Sequence, residues 1–138
     1  MTGILIVTHA NLGNALIEAV EFILDAKIEN IFFISIDIKE NVDSLHKKIK
    51  QGIKKVRKKG SGVIIFTDMF GGTPSNLSYS FLKEGDVEVV SGVNLPMLLK
   101  AVNIRDKMDI TEAAETLVKF GKKSISLASG ILKGKKRK

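Results

Sequence analysis

Cysteine is absent from this chain, which excludes disulfides, thiolate nucleophiles and cysteine zinc sites together. Histidine occurs only at His9 and His46, too few nitrogen ligands for a dedicated transition-metal site, so no metal and no cofactor is expected. No apolar run approaches the roughly 20 residues that a membrane-spanning helix needs. The start of the chain passes directly into Gly3-Ile-Leu-Ile-Val-Thr8, with no basic lead and no cleavage-like pattern. No signal peptide is therefore read there, and a cytoplasmic location is expected. Long polar tracts are missing too. With 44% hydrophobic residues in 138 positions, the composition is that of one globular domain with a real core. Missing motifs narrow the chemistry further. There is no G-x-G-x-x-G after a strand, no G-x-x-x-x-G-K-[ST] and no G-x-S-x-G around Ser75 or Ser78, which argues against dinucleotide, P-loop and serine-hydrolase sites.

Charge is present in excess but is local. The net charge is +7, and from Lys39 to Lys59 there are nine basic residues against Glu40 and Asp43. Five more basic residues fall between Lys133 and Lys138, so the rest of the chain holds eight basic and thirteen acidic residues. The basicity thus belongs to one helix face and one tail. No aromatic residue interleaves with these lysines and no nucleic-acid-binding signature accompanies them, so they read as a solvated face and no nucleic acid is expected as a partner.

Along the chain, short apolar runs alternate with amphipathic stretches. Strands are expected at Ile4–Val7, Ile31–Ile36, Val63–Phe66 and Val87–Val90. Helices are expected after Asn11, after Asn41 or Asp43, after Thr73-Pro74, from Leu95 and from Asp109. Thr73 is the natural cap for the third helix, with Pro74 at its first position. Ser124–Ala128 alternates and reads as a last strand, and 130–138 as a disordered basic tail beyond a single domain over 1–129. Strands separated by helices imply an α/β fold. The sheet is doubly wound and mostly parallel, with helices on both faces and a C-terminal edge strand.

In such sheets ligands bind beyond the strand carboxyl ends. Three segments meet there: Thr8-His-Ala-Asn11, Asp68 to Asn76, and Ser91 to Asn94. His9 is the most reactive group among them, able to act as nucleophile, base or phosphoryl carrier. Asp68 can take a hydrogen bond from one ring nitrogen and so fix the tautomer, while the helix N-termini nearby favour an anion. On these grounds His9 remains open between that role and a loop histidine bonded to a carbonyl. His46, at the margin of a helix stripe, reads as structural.

Three motifs, Ile6-Val-Thr-His9, Thr67-Asp-Met-Phe-Gly-Gly-Thr-Pro-Ser-Asn76 and Ser91-Gly-Val-Asn-Leu-Pro-Met-Leu98, occur in order and span nearly the whole chain. In them the sequence resembles the IIA component of the mannose/fructose family of the bacterial phosphoenolpyruvate-dependent sugar phosphotransferase system. The resemblance implies that His9 is phosphorylated by phospho-HPr and passes the phosphoryl group to a IIB protein. It further implies that Asp68 orients His9, and that the loop carrying Gly71, Gly72, Thr73, Ser75 and Asn76 supports the phosphohistidine. It implies a homodimer in which the last strand, Ser124 to Ala128, pairs with the partner's sheet. Association with a membrane permease complex would occur without insertion. Two departures stand out: Ala10 follows His9 where many members have glycine, and the basic tail is foreign to the pattern. With no IIB domain following, a separate IIB protein is the expected acceptor. A purely regulatory module, and the related phosphocarrier subunit of dihydroxyacetone kinase, are the alternatives.

Overall fold

A computed structural model of the chain describes residues 1–133. Four strands form one parallel sheet: β1 (Gly3–His9), β2 (Ile31–Ile36), β3 (Val63–Thr67) and β4 (Val87–Ser91), in the order β2-β1-β3-β4. The helices are α1 (Leu12–Leu24), α2 (Val42–Val56), α3 (Thr73–Ser78), α4 (Leu95–Ile104), α5 (Ile110–Lys123) and α6 (Ala128–Leu132). A single 3-10 turn, Tyr79–Phe81, follows α3. The doubly wound α/β fold is therefore as expected from the alternation of runs.

Two cores lie on opposite faces of the sheet, and the period-2 alternation of the strands sorts residues between them. Ile4 and Ile6 join Ile64, Phe66, Val90 and the inner faces of α4 and α5, with Val20 of α1. Leu5 and Val7 join Ile34, Ile65 and the α2 stripe of Leu45, Ile49, Ile53 and Val56. Ile4 to Val7 are wholly buried. A run apolar on both sides is what a central parallel strand needs, each such side chain contributing about 1.5–3 kcal/mol.

Two caps, Asn41 and Asp109, are those expected from the sequence, a third falls on Asn94, read there only as loop, and two differ. The side chains of Asn41, Asn94 and Asp109 accept from the N–H groups of Ser44, Met97 and Glu112. At α1, Asn11 holds the cap position without a side-chain bond. Thr8, fully buried at the end of β1, does the work instead, its hydroxyl accepting from Gly13 N–H at 2.9 Å. At α3 the cap residue is Gly72, not Thr73. The Ser75 hydroxyl donates to Gly72 C=O and accepts from Gly71 N–H, both at 3.0 Å, so the loop is closed from inside the helix.

The expected last strand is not one in this structure. Ser124 caps α5, Ile125 to Leu127 are irregular, and Ala128 opens α6. A strand must have a neighbour for its backbone groups, and among the described residues no strand pairs with this segment. Of the expected disordered tail, Gly130–Leu132 are helical; residues 134–138 lie outside the described residues.

The first residue of β1 sits hard against the end of α2. A Cβ on Gly3 would lie 2.4 Å from the Val56 carbonyl oxygen, backbone that cannot rotate away. Gly3→Ala is expected to destabilise the fold by about 1–3 kcal/mol, as overpacking does. A urea midpoint equal to that of the parent would contradict the close approach.

Candidate functional site

The chain leaves β1 toward β2 on one side and returns to β3 on the other, so β1 and β3 flank the point where strand order reverses. Adjacent crossovers diverge there and leave a crevice at the strand carboxyl ends. His9 ends β1 and Asp68 follows the last residue of β3. The register pairing Val7 with Thr67 brings the two side by side.

One carboxylate oxygen holds the histidine twice. Asp68 Oδ2 accepts from the His9 backbone N–H at 2.9 Å and lies 2.8 Å from Nδ1 of its ring. An ionised carboxylate only accepts, so the ring proton sits on Nδ1 and Nε2 presents its lone pair. No described residue bonds to Nε2. The His9 side chain is 40% exposed and that of Asp68 11%. Burial opposes ionisation of Asp68, but the hydrogen bonds from the His9 backbone and ring outweigh it and hold the carboxyl below its usual range. Its other oxygen, Oδ1, is buried with no partner, a cost that the His9 bonds must offset. Ala10 then turns the chain with φ +50°, a left-handed conformation that costs a Cβ-bearing residue about 1–2 kcal/mol.

Of the loop residues singled out from sequence, Gly72 faces the ring. A Cβ there would lie 3.0 Å from His9 Cε1 and 3.6 Å from Nε2. Gly71 takes φ +87°, the turn that brings Gly72 round. Ser75, wholly buried, shapes the loop from beneath. Asn76 donates weakly to Gly71 C=O at 3.4 Å from the surface, and Thr73 stands exposed on the rim. None of Thr73, Ser75 or Asn76 touches the imidazole; Ser75 and Asn76 act through the loop. His46 is not part of this group and stacks on Phe81, ring centroids 4.4 Å apart.

Residues that the motif reading passed over complete the site. Thr8 ties the histidine's own strand to α1. Ser91 accepts from Thr67 at 2.8 Å and lies 3.3 Å from the Tyr79 hydroxyl, joining the ends of β3 and β4 to the turn after α3. Met69 and Phe70 stand 54% and 79% exposed at the loop tip beside the histidine. Thr8, Met69, Phe70 and Ser91 all lie inside the quoted motifs, which was the signal available for them; Tyr79 lies outside them.

A fixed, partly exposed imidazole with one free nitrogen, at a crevice flanked by two helix starts, defines a histidine-centred group-transfer protein of the α/β class. The family model described as "PTS system fructose IIA component" matches residues 3–118. The chain belongs to this EIIA family, whose members are phosphocarriers of the sugar phosphotransferase system, carrying a phosphoryl group on histidine. It is 36% identical over 118 residues to the sorbose-specific EIIA component of Lacticaseibacillus casei, covering 85% of this chain and 83% of that one. Over 130 residues it is 27% identical to the fructose-specific EIIA component of Bacillus subtilis (strain 168), 94% and 88% being covered. The fold matches the crystal structure of phosphotransferase system component EIIA from Streptococcus agalactiae with TM-score 0.82 at 22% identity, over 94% of this chain and 98% of that one. No helix among the described residues is long and apolar enough to cross a membrane.

The lowered acidity of Asp68 carries a pH signature. A carboxyl whose folded pKa lies below its unfolded value stabilises the fold fully above the unfolded value, and that contribution is lost as pH falls through the folded one. Asp68→Asn is expected to lower stability at pH 7 by about 1–2 kcal/mol. The gap to the parent should close under acid, below roughly pH 3.9. Urea midpoints that differ equally at pH 7 and pH 2.5 would contradict an ionised Asp68.

Proposed function

We propose that His9 accepts a phosphoryl group on Nε2 from phospho-HPr and passes it to a separate IIB protein in the cytoplasm. The observation that carries this reading is the Nδ1–Asp68 bond, which leaves Nε2 unprotonated and, among the described residues, unpaired, on a side chain that is 40% exposed. The Nε2 lone pair attacks phosphorus, a bond to the donor's histidine nitrogen breaks, and that nitrogen keeps the departing electron pair. Nδ1 keeps its proton throughout. The positive charge that builds on the ring is met by the Asp68 carboxylate, the role an orienting acid plays in a triad. Because the group arrives already activated on a histidine, catalysis here is positioning and charge stabilisation by residues of the chain. The backbone around Gly72 and Thr73 and the start of α1 face the place where the phosphoryl oxygens would sit. The same geometry, run in reverse, serves delivery to the acceptor.

The segment after α5 supports a homodimer within the same proposal. Ile125, Leu127, Ile131 and Leu132 are 77%, 74%, 52% and 80% exposed, and β4 is an edge strand whose outer side carries, among the described residues, the bridge of Lys83 to Val87 at its start and no further strand. A second copy would give Ser124 to Ala128 the strand neighbour that one chain withholds. Any membrane association would run through the IIB protein and its permease complex.

With enzyme I, HPr and labelled phosphoenolpyruvate, the parent protein is expected to gain acid-labile label and His9→Ala none. Labelling of His9→Ala at the parent rate would sink the assignment. Gly72→Ala forces the ring or the loop to move by a few tenths of an ångström, and uptake is expected to slow about tenfold with the fold intact, since misplaced reacting groups lose rate steeply. Stopped-flow or quench measurement of label uptake reads this directly.

A further inference from the structure

We propose that the free edge of β2, with the groove between it and α2, docks an extended acidic segment of a partner protein as an added strand. β2 pairs with β1 alone. The Ile4 N–H donates to Asn30 C=O, and the alternation of a parallel ladder then turns Phe32, Ile34 and Ile36 toward β1. The N–H and C=O groups of Ile31, Phe33 and Ser35 are left pointing outward, a template for a further strand.

Beside that edge lies a groove of about 430 Å³, whose lining includes Phe32, Ser35, Lys48, Gln51, Gly52 and Lys55 and no acidic residue. Lys55 Nζ sits 3.9 Å above the centre of the Phe32 ring and pairs with no carboxylate among the described residues. Lys48 reaches Glu40 at 2.8 Å while remaining 47% exposed. Lys47, Lys50 and Lys54 add exposed positive charge along the same helix.

Charge selects the occupant. A second copy pairing edge to edge would set Lys48 and Lys55 against their own counterparts. The chain's own last residues are basic and would be repelled in the same way. An extended acidic segment satisfies both features: backbone pairing along β2 and carboxylates to the lysines. A nucleic acid would lack its stacking platform, because the ring face is already covered by Lys55. The lysines thus guard the edge against self-association while admitting one class of partner.

The test is an NMR titration of the labelled full chain with an acetylated, amidated octapeptide alternating Glu and Val. The expected result is saturable shifts and slowed exchange at the amides of Ile31, Phe33 and Ser35. Binding should weaken about tenfold or more in the Lys48→Glu/Lys55→Glu double variant, where two attractions become repulsions. An alternating Lys–Val peptide should not bind. Ser35→Pro removes one outward N–H that an edge strand can spare. It should abolish the amide response while a urea midpoint confirms the fold. His9→Ala should bind the peptide like the parent, so docking and phosphoryl transfer fail or survive separately. Shifts confined to the α2 lysines would overturn the proposal, as would loss of binding in His9→Ala. Binding of oligothymidylate or phosphatidylglycerol vesicles without binding of the peptide would overturn it too.

Discussion

The pairing of β1 with β3 is the constraint on which the site depends. A slip of one residue between these two would move His9 away from Asp68 and exchange the two cores as well. The register is fixed by burial on both faces: Ile4 to Val7 and Val63 to Phe66 have no solvent side to turn toward. The chemistry thus rests on apolar packing several residues away from the reacting atom. Thr8 extends the same logic at the strand end, since its buried hydroxyl fixes α1 directly against the histidine's strand.

At the site itself, electrostatics and strain are arranged with little redundancy. A single oxygen of Asp68 accepts both bonds from His9, and the other oxygen has no donor among the described residues. The carboxylate is consequently committed to the histidine and not shared with a wider network. The left-handed turn at Ala10 and the glycine turn at Gly71 bring two loops to the ring from opposite sides. No described residue of either loop bonds to Nε2, and Met69 and Phe70 stand exposed in the loop that follows Asp68.

Much of this was legible in the sequence because parallel strands announce themselves. The β-branched runs ending at Thr8-His9 and Thr67-Asp68 located both site residues at strand ends, and the three motifs supplied their order. The caps at Asn41 and Asp109 were equally readable, since each depends on a side chain reaching three residues along its own helix. What stayed hidden was set by contacts distant in sequence or by alternatives of equal local merit. Thr73 and Gly72 both suit the start of α3, and the choice fell to Ser75, which closes the loop from the other side. The hydroxyl of Thr8 outcompeted Asn11 because it is buried beneath α1, a fact of packing that no local pattern carries. The Ser124–Ala128 alternation marks a strand only where a neighbour exists, and one chain alone does not provide it.

The double attachment of His9 to one oxygen also has a consequence for tempo. Backbone and ring are anchored at the same atom, which holds the imidazole in one orientation. A carrier must meet two different proteins in turn, and each meeting lasts only as long as diffusion allows. A histidine already aimed when the partner arrives lets the exchange occur within that brief contact, with no shape change to wait for. In the role proposed for His9, such anchoring acts as a clock setting: it shortens the time an encounter must last to be productive.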